Sequence, residues 1–298
     1  MLPTNTHILF HEFEYVEPLR LDHVTTLLAQ YGENARIIAG GTDLLVQMKM
    51  ERRQPSHLIS LARINALHEI QNGNSLTIGA ATSIHALHQF LATSSRRTHS
   101  QFSALAEACN AFSTVQIMYM ATLGGNLCNA SPAADTAPCL LVFDANVTLQ
   151  SNSGERVIPL TEFFVGPGKT VLHSDELLTH VHLPAPAPHT GSAFLKISRV
   201  IADISQVCAA ARITRDGNLV QDARIALGSV APTPIRAPRA ESALIGQPFS
   251  SELAEQVGEI AADEIKPISD VRATRDYRQR VARVIVRDAL VRAWERTT

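Results

Sequence analysis

Two glycine pairs, far apart in the chain, have the composition of phosphate-binding segments. The first stands in Ala39-Gly-Gly-Thr-Asp-Leu-Leu45 and the second in Thr122-Leu-Gly-Gly-Asn-Leu127. Because glycine has no Cβ, a glycine pair reaches positive φ at little cost and can direct consecutive backbone N–H groups toward one anion. Two such turns could together bind one dinucleotide.

A buried strand is predicted before the first pair, and a helix directly after it. Residues 35–39 have the pattern of the strand, residues 43–50 are good helix formers, and Thr42 or Asp43 can cap the helix. The amides of the turn and the helix N-terminus would then point the same way, which favours an anion. A single glycine pair nevertheless marks an ordinary turn more often than a phosphate site.

Length and charge limit the classes of protein to consider. The chain has 298 residues, of which 45% are hydrophobic, enough for the cores of two or three domains. Its formal net charge is −2, so no broad basic surface for nucleic acid or an anionic membrane is expected. Lys49, Arg52 and Arg53 form a small basic cluster that could help to bind an anionic cofactor or partner, although a solvated helix face is the favoured interpretation. A small ligand or a protein partner fits the composition better.

The cysteine and histidine spacings do not predict a metal centre. The cysteines match neither a zinc knuckle nor an iron–sulfur ligand run, and we expect buried, reduced thiols. His180 and His182 alternate along a predicted strand, but a bare alternating pair is a weak metal signal. The four cysteines are Cys109, Cys128, Cys139 and Cys208.

No segment has the features of a targeting signal or a membrane span. The first residues, Met1-Leu-Pro-Thr-Asn-Thr-His7, lack a basic region followed by an apolar one, so no secretory signal is predicted. The longest uncharged run, residues 108–134, is interrupted by Asn, Gln, Ser, Gly and Pro and cannot be a membrane helix. We expect a cytoplasmic protein that does not insert into a membrane.

Hydrophobic periodicity predicts an α+β chain in three parts. Residues 1–55 form a small βαβ-like unit, residues 56–183 alternate strands and helices, and residues 190–298 form a sheet covered by helices. The proline-rich stretch 184–191 is predicted to be a linker near the last boundary. The main predicted helices are 21–30, 43–50, 84–92, 101–110, 133–143, 252–265 and 273–295, and the main predicted strands are 35–39, 57–61, 75–79, 146–150, 192–199, 205–214 and 222–230.

The glycine pairs belong to longer motifs, Ile38-Ala-Gly-Gly-Thr-Asp-Leu-Leu45 and Ala121-Thr-Leu-Gly-Gly-Asn-Leu-Cys-Asn-Ala-Ser-Pro-Ala-Ala-Asp135. These motifs resemble the FAD-binding signatures of the medium subunit of molybdenum hydroxylases, the xanthine dehydrogenase and carbon monoxide dehydrogenase family. The resemblance implies a two-subdomain FAD-binding domain of the vanillyl-alcohol-oxidase/PCMH type. An antiparallel sheet with helices, of the CO dehydrogenase flavoprotein C-terminal type, would follow. Further matching blocks are residues 165–169, 175–178, 196–199, 202–205, 232–239 and 268–275.

The resemblance also implies which residues contact FAD. The two motifs would hold the pyrophosphate, and Asp135 would accept a hydrogen bond from a sugar or ribityl hydroxyl, away from the phosphates. Adjacent strand residues face opposite sides, so Leu195 and Lys196 cannot both point at the flavin. The implied residues are Ile37, Ile38, Ala39, Gly40, Gly41, Thr42, Asp43, Leu44, Phe112, Thr122, Leu123, Gly124, Gly125, Asn126, Asp135, Leu177, Leu195 and Lys196.

Ordinary structural roles are open for several of these residues. Asn126 could close its loop onto the backbone, and Asp135 could stabilise the N-terminus of a helix. Phe112 and Leu177 could be core residues. Lys196 could be a solvated surface lysine.

Finally, the resemblance implies a division of labour between subunits. A molybdenum-cofactor large subunit would hydroxylate the substrate, and a small subunit with two [2Fe-2S] clusters would relay electrons. This chain would be the FAD-binding electron-transfer subunit that reduces NAD+ or another acceptor, most like that of xanthine dehydrogenase. It would carry no metal and no catalytic acid or nucleophile. The alternatives are a self-contained flavin oxidase or reductase of the same fold, or a scaffold that has lost its flavin.

Overall fold

A small parallel sheet begins the fold. The computed structural model describes residue 9, residues 11–94 and residues 101–297. Strands β1 (Glu14–Val16), β2 (Ala35–Ile38) and β3 (His57–Ser60) lie in the order β1-β3-β2, all parallel. Helix α1 (Leu21–Tyr31) packs its apolar side onto this sheet, and α2 (Leu44–Lys49) connects β2 to β3. The first glycine pair therefore follows β2 at the end of a parallel strand.

An antiparallel sheet and a group of short helices form the middle of the chain. The strand order is β4-β5-β10-β6-β7, and the apolar residues of these strands share one large core with the helices. The strands are β4 (Ile70–Asn72), β5 (Ser75–Gly79), β6 (Asn146–Ser151), β7 (Gly154–Pro159) and β10 (Leu177–Pro184), with a separate hairpin of β8 (Phe164–Gly166) and β9 (Lys169–Thr170). The helices are α3 (Ile84–Thr93), α4 (Ser103–Asn110), α5 (Val115–Met120), α6 (Leu123–Cys128) and α7 (Thr136–Val142).

The C-terminal part is an antiparallel sheet in the order β11-β12-β13-β14. Its alternating residues divide between two cores: Ala193 and Ala209 pack with the C-terminal helices, whereas Phe194 and Ala210 join the core of the middle part. This sheet is therefore covered on both faces. Its elements are β11 (Thr190–Ile197), β12 (Val207–Asp216), β13 (Leu219–Gly228), β14 (Ile235–Arg236), α8 (Pro238–Leu244), α9 (Ser251–Glu264) and α10 (Arg275–Glu295).

The predicted linker 184–191 is shorter in the structure. Pro184 ends β10, and β11 already begins at Thr190. Gly191 is packed so closely that a Cβ there would overlap the carbonyl oxygen of Ala293 in α10. The proline-rich composition therefore marks a tight crossing between two sheets and not a loose connection.

Helix boundaries near the second glycine pair also differ from the prediction. The helix predicted at 133–143 begins at Thr136, so Asp135 precedes it. Helix α5 was not predicted. Its apolar residues Val115, Tyr119 and Met120 are exposed, so the apolar positions of this segment do not form the single buried face that an amphipathic pattern would show. Among the described residues, no helix is long and apolar enough to cross a membrane.

Candidate functional site

The two glycine motifs meet in one cleft of about 670 Å³. The first motif, α6, the β8–β9 hairpin and the start of β10 form its walls. Most of the residues predicted to bind the cofactor line it: Ile37, Ala39, Gly40, Gly41, Thr42, Asp43, Leu44, Phe112, Thr122, Gly124, Gly125, Asn126 and Leu177.

The first motif is a turn with free backbone donors. Gly41 has a φ of 70°, a conformation that L side chains rarely adopt. The N–H groups of Gly40, Gly41, Thr42 and Asp43 donate no hydrogen bond to any residue that the structure describes. Neither Thr42 nor Asp43 caps α2 through its side chain, so the predicted cap is wrong and the amides stay available. Consecutive free amides at a positive-φ glycine can bind an anion.

The second motif is part of a helix, and the predicted glycine turn is wrong. Gly124 and Gly125 lie in the first turn of α6, and neither has a positive φ. The Thr122 hydroxyl caps this helix by accepting from the Gly125 N–H at 3.1 Å, and Ala80 O accepts from the Gly124 N–H at 2.8 Å. Leu123 and the residue after Gly125 also donate within the protein. The backbone donors at the start of this helix are therefore already satisfied.

Close packing explains why the second motif needs a glycine. A Cβ on Gly124 would lie 2.6 Å from the Ala80 Cβ and 2.7 Å from its carbonyl oxygen. The first motif has a similar constraint, because a Cβ on Gly40 would overlap the Met120 carbonyl oxygen. The two motifs are thus held against each other and against the middle sheet by residues without a Cβ.

Asn126 presents a donor to the cleft. Its Oδ1 accepts a 2.7 Å hydrogen bond from the Thr136 hydroxyl, whereas its Nδ2 has no partner among the described residues. The interpretation of Asn126 as a residue that closes its own loop is therefore wrong. Nearby, Gln47 Nε2 donates to Asn129 Oδ1 at 3.0 Å and ties α2 to α6.

Two arginines also line the cleft: Arg36, which was not among the predicted residues, and Arg53, from the basic cluster for which a solvated helix face was the favoured interpretation. Arg36 and Arg53 both border it, and burial together with the charge of Arg53 lowers the pKa of Arg36. Arg36 Nη1 donates to the carbonyl oxygens of Glu33 at 2.9 Å and Ala35 at 2.7 Å. The Glu33 charge opposes the lowering of the pKa, but Arg36 forms no ion pair with a carboxylate among the described residues. Burial raises the pKa of Asp43 in the same cleft.

Five predicted residues lie outside the lining of the cleft: Ile38, Leu123, Asp135, Leu195 and Lys196. Leu123 is fully buried in the middle core. Leu195 packs with the C-terminal helices, whereas Lys196 points from the opposite face of β11 toward the middle of the chain. Lys196 is therefore not a surface lysine.

Asp135 and Lys196 form a buried ion pair with each other. Lys196 Nζ lies 2.7 Å from Asp135 Oδ2, and the two side chains are 4% and 7% exposed. Burial raises the pKa of Asp135 to about 6, although the Lys196 charge opposes the shift. Asp135 makes no side-chain cap hydrogen bond to α7, and its Oδ1 is buried with no partner among the described residues. Asp135 does lie directly before α7, at the helix N-terminus where the alternative interpretation placed it.

The cysteines have the burial expected of core thiols at three positions. Cys109, Cys139 and Cys208 are buried, and burial raises the pKa of Cys109 and Cys208 to about 12. Cys128 is exposed and borders the cleft. Within the described ranges, no group of three or more His, Cys, Asp or Glu side chains could hold a metal ion.

Comparison with known proteins covers nearly the whole chain. A family model described as the FAD binding domain in molybdopterin dehydrogenase matches residues 11–186, and one described as the CO dehydrogenase flavoprotein C-terminal domain matches residues 192–293. These matches confirm the predicted α+β fold class, with its FAD-binding domain and C-terminal antiparallel sheet.

Individual relatives are similar over nearly their full length. The chain is 33% identical to the carbon monoxide dehydrogenase medium chain of Hydrogenophaga pseudoflava, covering 95% of this chain and 98% of that one. It is 32% identical to the xanthine dehydrogenase FAD-binding subunit of Escherichia coli O157:H7, covering 96% and 97%. A solved carbon monoxide dehydrogenase structure from Hydrogenophaga pseudoflava matches with a TM-score of 0.90 at 33% identity, covering 96% and 98%.

The atoms of the cleft fit the FAD that this family binds. Four free amides around Gly41 and the unpaired Asn126 Nδ2 are donors that a pyrophosphate can use, and Arg36 supplies an opposite charge. Geometry and comparison therefore agree on the cofactor. The chain belongs to the FAD-binding medium subunits of the molybdenum hydroxylase family.

Proposed function

We propose that this chain is the electron-transfer subunit of a molybdenum hydroxylase, taking electrons from partner [2Fe-2S] clusters and delivering them to NAD+ or another acceptor. The observation that carries the proposal is the meeting of both glycine motifs in one cleft, with free amides on one side of it. When bound, FAD supplies the ability to accept electrons singly or in pairs, which suits a link between one-electron clusters and a two-electron acceptor.

In this proposal the first motif holds the pyrophosphate. The amides from Gly40 to Asp43 have no other partner among the described residues, so binding a phosphate costs no existing hydrogen bond. Thr42 can add a hydroxyl donor, and Arg36 and Arg53 offset the negative charge. Asn126 donates through Nδ2 from the opposite wall, held in place by Thr136.

The glycines of the second motif have a different role in this proposal. Gly124 lets α6 approach Ala80 closely, and this approach brings Thr122 and Asn126 to the cleft. The FAD roles of Leu123, Asp135 and Lys196 stay predictions. None of these three residues lines the cleft, so a direct contact with FAD would require FAD to extend beyond the cleft lining.

The proposed partners are a molybdenum-cofactor large subunit and a [2Fe-2S] small subunit, supported by membership of the family. We also propose, more specifically, that the complex resembles xanthine dehydrogenase in its specificity. Identities of 33% to the carbon monoxide dehydrogenase chain and 32% to the xanthine dehydrogenase subunit do not favour either substrate. The hydroxylated substrate would be selected by the large subunit.

One set of measurements tests the proposal. The chain is expressed alone and together with the products of its neighbouring genes, and flavin absorbance and NADH oxidation with a dye acceptor are recorded. We expect the chain alone to bind FAD, and substrate-dependent flavin reduction only in the complex. No flavin absorbance at saturating FAD would contradict the proposal, and substrate turnover by the chain alone would favour a self-contained oxidase. A complex that reduces a dye but does not react with NADH would exclude NAD+ as the acceptor.

A further inference from the structure

The buried pair of Lys196 and Asp135 contacts the cleft only indirectly. Lys196 Nζ donates to Asp135 Oδ2 at 2.7 Å, to the carbonyl oxygen of Ala111 at 3.0 Å and to that of Phe112 at 3.4 Å. An ammonium has three donors, so these acceptors use all of them. Through Lys196, strand β11 of the C-terminal sheet thereby holds the backbone turn at Ala111 and Phe112 in the middle part of the chain.

That turn begins the segment that builds one side of the cleft. Phe112 lines the cleft and packs against the middle core. After it, α5 runs directly to Met120, whose carbonyl oxygen faces Gly40, and then to Thr122, the cap of α6. Phe112 is the cleft-lining residue of this segment that Lys196 contacts, so a shift of the turn would first displace Phe112 in the wall of the cleft.

We propose that Lys196 is a positioning residue for the cofactor: it holds the Ala111–Phe112 turn, and through that turn sets the position of Phe112 in the wall of the cleft. The proposal rests on FAD occupying the cleft, as proposed above. It assigns to the C-terminal sheet an indirect influence on the flavin site, because Leu195 and Lys196 themselves lie outside the cleft lining.

Burial makes this anchor rigid. The Lys196 and Asp135 side chains are 4% and 7% exposed, so solvent does not compete for the ammonium. Removing one member of a buried ion pair leaves an uncompensated charge, and the neighbouring backbone then has to rearrange. The hydrogen bonds from the Lys196 ammonium to the carbonyl oxygens of Ala111 and Phe112 tie the backbone of this turn to β11.

The test compares Lys196→Met with Asp144→Asn in the full chain. Asp144 follows the other end of α7 and also contacts the C-terminal sheet, through Arg236 at 2.8 Å and Arg212 at 3.1 Å, but it does not line the cleft. FAD titration by fluorescence gives the dissociation constant, and the visible spectrum of bound flavin reports its surroundings. We expect Lys196→Met to weaken FAD binding about tenfold and shift the spectrum. Asp144→Asn should lower stability without either change.

A double-mutant cycle with Phe112→Ala identifies the route of the effect. Because Lys196 acts through Phe112, adding Lys196→Met to Phe112→Ala should weaken FAD binding little further. Fully additive losses would overturn the proposal. A larger loss of FAD affinity in Asp135→Asn than in Lys196→Met would also overturn it, because Asp135 would then be the direct ligand.

A second variant covers the case in which Lys196→Met fails to fold. Lys196→Met combined with Asp135→Leu removes both charges and leaves neither unpaired, and it is expected to give the same loss of FAD affinity. A folded single or double variant with wild-type affinity and spectrum would overturn the proposal. Failure of the wild-type chain to bind FAD would instead contradict the proposed function, so the two failures are distinguishable.

Discussion

The two glycine pairs share a dipeptide but differ in what their backbones do. At the first pair, Gly41 has a positive φ and the amides from Gly40 to Asp43 are free. At the second pair, Gly124 and Gly125 are helical, and their N–H groups donate to Ala80 and Thr122. The first pair offers donors to a ligand, whereas the second allows two backbones to come close.

This difference shows that one sequence signature can have two physical causes within a single site. Glycine is favoured both where a Cβ would clash and where φ is positive, and only the second case implies a changed direction of the amides. Gly40 and Gly124 are required for packing, and Gly41 for its backbone conformation. Substitutions at these positions should therefore separate effects on stability from effects on cofactor binding.

The largest effect is expected for Gly40→Ala. Its Cβ would overlap a backbone carbonyl oxygen, that of Met120, which cannot move aside like a flexible side chain. We expect a loss of about 3 kcal/mol in the free energy of unfolding, measured by urea denaturation without FAD. A variant as stable as the wild type would mean that the motifs are not packed against each other as described.

A somewhat smaller loss is expected for Gly124→Ala. The Cβ would lie 2.6 Å from the Ala80 Cβ, so α6 has to move away from β5. The free energy of unfolding should fall by about 2 kcal/mol in the same denaturation experiment. Equal effects of Gly124→Ala and Gly125→Ala would contradict the packing role, because Gly125 meets only the Thr122 hydroxyl at 2.8 Å.

Gly41→Ala and Thr122→Ala are a matched pair with similar stability losses and different effects on FAD. Strain at a φ of 70° and loss of a helix cap should each cost about 1 kcal/mol. Only Gly41→Ala redirects free amides, so FAD affinity in a fluorescence titration should fall further in that variant. A larger loss of affinity in Thr122→Ala would assign the pyrophosphate to the second motif.

The smallest effect is expected for Gly125→Ala. Alanine favours the helix more than glycine does, and this gain offsets the contact with the Thr122 hydroxyl. The free energy of unfolding should stay within about 0.5 kcal/mol of the wild type, by the same denaturation method. A loss of more than 2 kcal/mol would show that α6 tolerates no side chain at this position.

Elements with strong local patterns were predictable from the sequence. Strand β12 and the long helix α10 have apolar residues at the expected spacing, and the strand alternation correctly separates Leu195 from Lys196. Most of the residues that the resemblance implied also line the cleft. These features depend on residues that are close in the sequence or on motifs that are themselves local.

Features that depend on distant residues were not predictable in this way. The contact of Gly124 with Ala80 and the pairing of Asp135 with Lys196 arise only when separate elements pack together. The second glycine pair was mistaken for a turn, because glycine disfavours a helix interior and the reason for tolerating it there is tertiary. Arg36 was missed because nothing in its local sequence distinguishes it from a surface arginine.

Residue-resolved hydrogen exchange with and without FAD tests the central claim most directly. In the free protein, the amides from Gly40 to Asp43 should exchange quickly, because they have no hydrogen-bond partner among the described residues. FAD should slow exchange at these four amides and change little at Gly124 and Gly125, which are already bonded. Protection confined to the second motif, with none at the first, would contradict the account.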